Sequence, residues 1–541
     1  MLETSHRNRS RYHIHRFSWK VVCHSLLICT FCGITTSLSP RVLAKEIESE
    51  AAREGNVVDY ESFGAIGDGV ADDLPAICRA HAFANEYGLS VKSNPNATYH
   101  LGRKAMTAII ATDTDWNTSK FIVDDTSVDN HKTSLFEVRS LLDSVTLKIS
   151  SLKRDQKQLD LHPERDFFVS VTNDKIKRYR RRGMNQNSGT SQSDCFILYR
   201  DGTIEGDIDW DYDHVTQVDA RPMDADRLVV NGGVFTTTAN CMKQEVGYNY
   251  WSRNIKILRS NTEVVGLTHH IVGETEVGHP YAGFISVSHC ANVTLRDCFA
   301  TGHKTYQTIG AANKPVRMGS YDYNVNSVVN FRMIGCTMDD ILDRSLWGVI
   351  GTNHCKNILL EDCVLSRMDT HMGVSGSYTI RRCTLGHAGL NAIGRGRLTV
   401  EDSTLHGNSL ISLRRDYGST WEGDVIIRRC HWIPAGGKQT WPTLLQIDND
   451  STHDFGYRCF MPATITIDGL FVDDSNVPSN YQGMYLLGDP DRGRETPDSK
   501  RPFPYTLTKE IEIRDLNTAS GKEPIVSANK RLNANVTVVQ H

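Results

Sequence analysis

From about Val229 onward the chain repeats one short pattern of alternating apolar and polar positions. The clearest copies read Asn292-Val-Thr-Leu-Arg-Asp-Cys298, Phe331-Arg-Met-Ile-Gly-Cys336, Asn357-Ile-Leu-Leu-Glu-Asp-Cys363, Tyr378-Thr-Ile-Arg-Arg-Cys383, Leu398-Thr-Val-Glu-Asp-Ser403 and Val425-Ile-Ile-Arg-Arg-Cys430. Weaker copies begin at Asn254 and Ala463. Alternation with period two turns one face of a strand towards a core. Cys363, Cys383 and Ser403 follow at intervals of 20 residues, and the other steps are 27 or 38. Those longer steps are expected where loops are inserted into coils. A repeat of this length made of strands predicts a β-helix or a related stack. A leucine-rich repeat needs a regular framework of Leu and Asn, which is absent. Stacked coils lie about 4.8 Å apart, so the cysteines form a column. Each is expected to point inward as a small buried hydrophobe, with bridging left open for some pairs. Zinc is not expected, because it needs clustered ligands.

Nearer the N-terminus the pattern changes. Asp59-Tyr-Glu-Ser-Phe-Gly-Ala-Ile-Gly-Asp-Gly-Val-Ala-Asp-Asp-Leu-Pro-Ala-Ile77 reads as a strand, a tight glycine turn and a helix running to about Tyr87. Glycines mark turns that need positive φ or close backbone approach. The aspartates before Leu74 offer a side-chain cap to the first free N–H groups, and Pro75 suits the first turn. This segment resembles the FGAxGDGxxDDxxAI motif that opens the right-handed parallel β-helix of the pectate-lyase-like superfamily. The resemblance implies an all-β, single-stranded right-handed parallel β-helix whose N-terminal end is capped by the helix. It is a signal of fold and not of catalysis. The superfamily's members include polysaccharide lyases, polygalacturonase-like glycoside hydrolases, tail spikes and adhesins. The Asn-x-Asp, Asp-Asp and Gly-His-Gly set of the polygalacturonases is missing: His303 has Gly302 before it but Lys304 after it. The Arg-x-Pro-x-x-Arg motif of pectate lyases is also missing.

The organisation read from the sequence has four parts. Residues 1–44 have a basic leader (Arg7, Arg9, Arg11, Arg16, Lys20) and an apolar run from Val21 to Ile34. They are expected to form a secretory signal peptide cleaved near Ala44, so the protein is expected to be secreted or periplasmic. The run is shorter than the roughly 20 residues of a membrane anchor. Residues 45–136 hold the cap and first coils, 137–225 an inserted β-rich subdomain, and 226–541 the main β-helix with C-terminal loops. The formal net charge of −4 over 541 residues gives no reason to expect nucleic acid or a membrane surface as partner. Within the insert, Lys175-Ile-Lys-Arg-Tyr-Arg-Arg-Arg182 is expected to be a solvated strand face. Asp207-Ile-Asp-Trp-Asp-Tyr-Asp213 leaves calcium open as a ligand, although it lacks the Gly and Glu of an EF-hand loop. No other cofactor or metal is expected.

A β-helix presents columns of side chains on its outer surface, and a groove along such columns suits an extended polymer. Eight residues after each Cys/Ser step stand Tyr306, Arg344, His371, Asn391 and Ile411; four after stand Gly302, Asp340, Arg367, His387 and Gly407. The last three coils are taken to align without gaps. Polar residues therefore gather in the middle coils, with Asp369, Asp343, His303, Arg395 and Arg414 nearby. Elimination from a uronic acid needs a cation at the carboxylate, a base for the C5 proton and an acid for the leaving oxygen. Arg344, Arg367 or Arg395 fit the first role, His371 or His303 the second and Tyr306 the third. Hydrolysis needs two carboxyl groups, and Asp340 or Asp343 with Asp369 would supply them. His387, Asn391 and Arg414 complete the candidate binding set. The excess of Arg points to carboxylate or sulfate on the ligand and tilts the expectation towards a lyase acting on an acidic polysaccharide. A C5 epimerase shares the proton-abstraction step. A non-catalytic glycan-binding protein is the remaining reading, but it would be expected to stack aromatics along several coils. Here Trp347, Trp421, Trp432 and Trp441 are scattered.

Overall fold

The computed structural model describes residues 57–541, apart from 184–185, 245–246, 248, 311–312, 348–349, 435–440 and 492–503. The expected signal peptide at 1–44 lies outside the described residues. The chain winds into a right-handed parallel β-helix with three parallel ladders. The first ladder runs from Val57–Val58 through 293–296, 331–334, 358–361, 378–381 and 424–428 to Thr537–Gln540. The second holds Asp68–Asp72, Thr98–Leu101, Thr404–His406 and 470–472. The third holds Ala108–Ile110, 285–287, 368–370, Ser409–Leu413, Thr443–Gln446 and Tyr485–Leu487.

The polar-Cys step is the corner between the first and second ladders. Asp297, Asp362, Arg382, Asp402 and Arg429 take left-handed backbone with φ between 47 and 55°. The next residue (Cys298, Cys363, Cys383, Ser403, Cys430) turns back into the core and is buried. The two arginines hold this conformation through carboxylates one coil below: Arg382 Nε donates to Asp362 at 2.7 Å and Arg429 Nε to Asp402 at 2.6 Å. The column cysteines are free thiols. They donate to backbone carbonyls, as Cys430 Sγ does to Val400 O at 3.4 Å. The corner between the third and first ladders carries Asn261, Asn292, Asn330 and Asn357, with φ of 55 to 59°. Each amide from Asn292 on donates to the Oδ1 of the Asn in the preceding coil at 2.9 Å.

The helix spans Leu74–Tyr87 and lays Leu74, Ile77, Ala80, His81 and Ala84 on the end of the stack. Of the two aspartates expected to cap it, only Asp72 takes a first-turn N–H. The side chain of Asp73 makes no cap bond. Asp73 is buried and instead accepts from the backbone N–H of Ile66 at 2.7 Å, Gly67 at 3.2 Å and His100 at 3.3 Å, tying the glycine turn to the next coil. Asp72 takes the N–H of Leu74 at 3.3 Å and of Gly102 at 3.1 Å. At Gly67, with φ +67°, a Cβ would lie 2.8 Å from that of Ala97, so only glycine fits. Below the helix the core is aromatic: Phe121 stacks on Phe235 at 4.5 Å, and Trp116 meets Phe136 at 5.0 Å.

The insert forms a four-stranded antiparallel sheet of Phe167–Arg178, Thr190–Leu198, Ile204–Glu205 and Gln217–Pro222. One face (Phe167, Val169, Val171, Phe196, Leu198) closes its own core with Tyr212. The other (Phe168, Cys195, Ile197) packs on Ala291 and Val329 of the solenoid. Among the described residues, no helix is long and apolar enough to cross a membrane.

The register corrects one expectation. Leu365 pairs with Leu385, but Arg367 pairs with Gly389, because the later coil carries two extra residues at that corner. The coils from 363, 383 and 403 therefore do not align without gaps. Asn391 pairs with Ser412 and Leu390 with Ile411, which faces the core.

Candidate functional site

The outward face of the third ladder forms the floor of a cleft of about 900 Å³. Strand residues alternate in direction, so Met368, Leu390 and Ile411 fill the core while Asn391, Ser412 and Gln446 line the floor. Among the described residues, six arginines line it: Arg181, Arg182, Arg317, Arg367, Arg414 and Arg415, against Asp416, Asp448 and Asp489.

Beneath them lies Asp369, fully buried. Both its oxygens accept from Arg414 Nη1 at 2.9 Å, and Arg367 Nη2 stands 2.8 Å from Oδ2. Burial pushes this carboxyl's pKa up, but the Arg367 and Arg414 guanidiniums outweigh it and hold it well below the usual carboxylate range. Arg414 also donates to Asp416 at 2.9 Å. Arg181 meets the other oxygen of Asp416 at 2.9 Å. Arg182 reaches Asp448 at 3.2 Å and Asp450 at 3.0 Å. The cleft is therefore a lattice of guanidiniums fixed by carboxylates, with the cations in excess.

Arg181 and Arg182 come from the basic run of the insert, which was expected to be a solvated strand face. Instead Arg178 lies 4.6 Å over Trp210, Arg180 pairs with Asp454, and the two following arginines cross to the cleft. Backbone bonds from Arg180 to Phe455 and from Arg182 to Asp416 lay this segment along the solenoid. Arg317 arrives on a hairpin of Tyr306–Ile309 with Pro315–Met318. These residues were missed because none sits in the coil repeat, although the run of basic residues was itself visible.

The expected site residues fall into three groups, with Arg395 apart from all of them. Arg367, Asn391 and Arg414 line the cleft and Asp369 supports it. His371 lies beside it, with Nε2 3.4 Å from the Tyr417 hydroxyl. Burial, then Arg414, drives its imidazole down to about 4 against the pull of Asp369. His303 and Tyr306 form a separate, buried cluster. Glu274 accepts from the Tyr306 hydroxyl at 2.7 Å and lies 3.0 Å from His303 Nδ1. Burial pulls His303 down, but the Glu274 bond and neighbouring carboxylates prevail and raise it. Asp322, also buried, is pushed up to about 7 by burial.

Asp340, Asp343, Arg344 and His387 belong to an exposed turn and the coil behind it. Asp340 has φ +51°, Asp343 accepts from Ser345 N–H at 2.8 Å, and His387 Nε2 lies 3.0 Å from Leu346 O. None of these four is among the cleft's lining residues. Arg395 turns away to Asp155 at 2.6 Å and Asp209 at 3.3 Å. In the acidic run, Asp207 pairs with Lys157, Asp209 with Lys356 at 3.4 Å, and Asp211 accepts from the Arg154 N–H at 3.0 Å.

No family model matches the chain. A stretch of 160 residues is 29% identical to a capsule KL64-specific depolymerase of a Klebsiella phage, covering 27% of this chain and 14% of that protein's length. Similar solved structures include the tailspike protein gp49 of Pseudomonas phage LKA1, with TM-score 0.44, 13% identity, and 85% of this chain and 81% of that chain covered. An exopolygalacturonase from Thermotoga maritima gives TM-score 0.35 at 11% identity over 80% of this chain and 93% of that chain.

Proposed function

We propose that this protein is a polysaccharide-processing enzyme that holds an acidic glycan in the arginine cleft and cleaves it by β-elimination at a uronic acid. The observation that carries the reading is the convergence of six arginines from the coils, the hairpin and the insert on one groove. Guanidinium forks bind carboxylates bidentately, and a groove running across coils fits an extended chain. The relative named as a capsule depolymerase supports a polymeric glycan as partner.

Arg317 and Arg415, both exposed on the cleft, neutralise the uronate carboxylate and so acidify its C5 proton, while Arg367 stays on Asp369 beneath them. His371 is the base: burial keeps it neutral above about pH 4, so its imidazole can accept a proton. Asp369 stays ionised nearby and stabilises the imidazolium that forms, which returns its proton to the leaving oxygen as the C4–O bond breaks and the C4=C5 double bond forms. Asp369 does not suit the acid role that hydrolysis requires, because the neighbouring guanidiniums hold it well below the usual carboxylate range. His303 and Tyr306 are 1% and 2% exposed, so a polymer does not reach them.

The test is a panel of acidic polysaccharides with ultraviolet detection of unsaturated uronic ends. The expected result is growing absorbance that is lost in His371→Ala. New reducing ends without absorbance would overturn elimination in favour of hydrolysis. Polymer bound but unchanged in length and composition would leave a glycan-binding protein, and conversion of uronate stereochemistry would mark an epimerase.

A further inference from the structure

Two residues before Arg181 reaches the arginine cleft, Tyr179 lines a second pocket, of about 400 Å³. This falls within the roughly 300–1,000 Å³ typical of small-ligand sites. Its walls come from both parts of the fold: Asp209 and Trp210 from the insert, Arg395, Glu422 and Tyr457 from the solenoid side. Tyr457 lies 5.8 Å from Trp210 and 5.0 Å from Tyr179, ring centre to ring centre. The three rings meet at tilted angles and form an aromatic cluster on one side of the pocket, with Arg178 over Trp210.

Facing chemistry is supplied by two carboxylates. Asp209 and Glu422 keep 22% and 36% of their side-chain surface. Each is oriented by a guanidinium: Arg154 Nη2 donates to Glu422 at 2.6 Å and Arg395 Nη1 to Asp209 at 3.3 Å. Ser375 Oγ adds a bond to Asp209 at 3.0 Å. A carboxylate accepts about four hydrogen bonds, so both retain acceptor capacity for ligand hydroxyls.

The geometry points to a binding subsite for a neutral hexopyranose. A pyranose offers an apolar C–H face to aromatic rings and a rim of hydroxyl donors to carboxylates. Here Arg154 and Arg395 are each paired with a lining carboxylate, and Arg458 is, among the described residues, the one further arginine of the lining, in contrast to the six arginines of the cleft. A uronate placed against Asp209 and Glu422 would meet like charge, so the ligand class differs from that of the cleft. Such a ring would be a neutral branch or neighbouring unit of the same polymer. Binding here requires neither cleavage nor an anionic chain, so it stands or falls separately from the activity of the cleft.

The experiment is saturation-transfer NMR on the full chain with methyl glycosides of glucose, galactose and mannose, and with methyl glucuronoside. The expected result is transfer to the ring protons of at least one neutral glycoside, reduced at least fivefold in Trp210→Ala and in Glu422→Gln. The glucuronoside also has the arginine cleft to bind, so only the part of its transfer lost in Trp210→Ala and Glu422→Gln is read, and that part should be smaller than for the neutral sugar. Glu422→Gln keeps shape and volume, so it carries the test if Trp210→Ala fails to fold. Absence of transfer to all three neutral glycosides, equal transfer in the variants, or a larger variant-dependent loss for the glucuronoside than for the neutral sugars would overturn the assignment.

Discussion

Replacing Arg414 with Met removes the guanidinium that binds both oxygens of Asp369 at 2.9 Å. Asp369 is fully buried and keeps one cation, Arg367, at 2.8 Å. Breaking a buried pair costs about 3–5 kcal/mol when the remaining charge has no other partner. With Arg367 in place the loss should sit at the lower end, about 3 kcal/mol. A solenoid of this size does not unfold as one two-state unit, so a local measurement is the suitable one. Hydrogen exchange followed by mass spectrometry on peptides from Val364–Arg381 and Ser409–Leu413 reads the opening free energy of these coils. At tenfold per 1.4 kcal/mol, exchange there should accelerate about 100-fold, while peptides near Leu74–Tyr87 stay unchanged. Combining Arg414→Met with Asp369→Asn should cost at least about 1 kcal/mol less than the sum of the two single variants. Acceleration below about fivefold, or strict additivity, would refute the claim that the two guanidiniums hold a buried carboxylate.

Three further outcomes follow from other parts of the molecule. Asp322 binds its proton more tightly folded than unfolded, so local stability falls as pH rises from about 4 to 7; Asp322→Asn should narrow the difference in opening free energy, read by hydrogen exchange on peptides from Tyr321–Ile334, between pH 5 and pH 8, and an unchanged difference would count against it. Asp73→Ala removes three bonds to backbone N–H groups and should cost about 3 kcal/mol or more, seen as faster proteolysis within residues 59–73; wild-type resistance would contradict the role given to this carboxylate. Iodoacetamide should modify exposed Cys241 in the native protein but spare Cys298, Cys336, Cys363, Cys383 and Cys430 until unfolding, and peptide mapping with comparable labelling at all sites would contradict their burial.

The coil architecture was legible because a stack imposes its period on the sequence. The polar-Cys step marks a corner where one residue turns left-handed and the next enters the core. The same periodicity misled where coils carry excursions. Tyr306 follows Cys298 by the spacing of a surface column, yet it sits on a hairpin strand and its hydroxyl is spent on Glu274. The two extra residues between Leu385 and Gly389 shifted Asn391 out of register with His371. Arg181 and Arg182 were out of reach for a different reason. Their partners Asp416, Asp448 and Asp450 stand more than 230 residues away in sequence. That placement is decided by how an antiparallel sheet docks on the solenoid, which leaves no periodic trace. The aspartates of the opening motif were recognised as a signature, but their role in holding the glycine turn needed the coil above them.

The docked insert also changes what kind of object the solenoid is. A bare stack of coils is held only by nearest neighbours and can fray from either end one coil at a time. This one is stitched across non-adjacent coils. Cys195 reaches His354, Arg154 reaches Glu422, and Arg180 reaches Asp454. Unwinding of the coils between about residues 350 and 460 must therefore peel the insert away at several points together. The segment that carries the cleft is converted from a row of separable turns into one mechanical block.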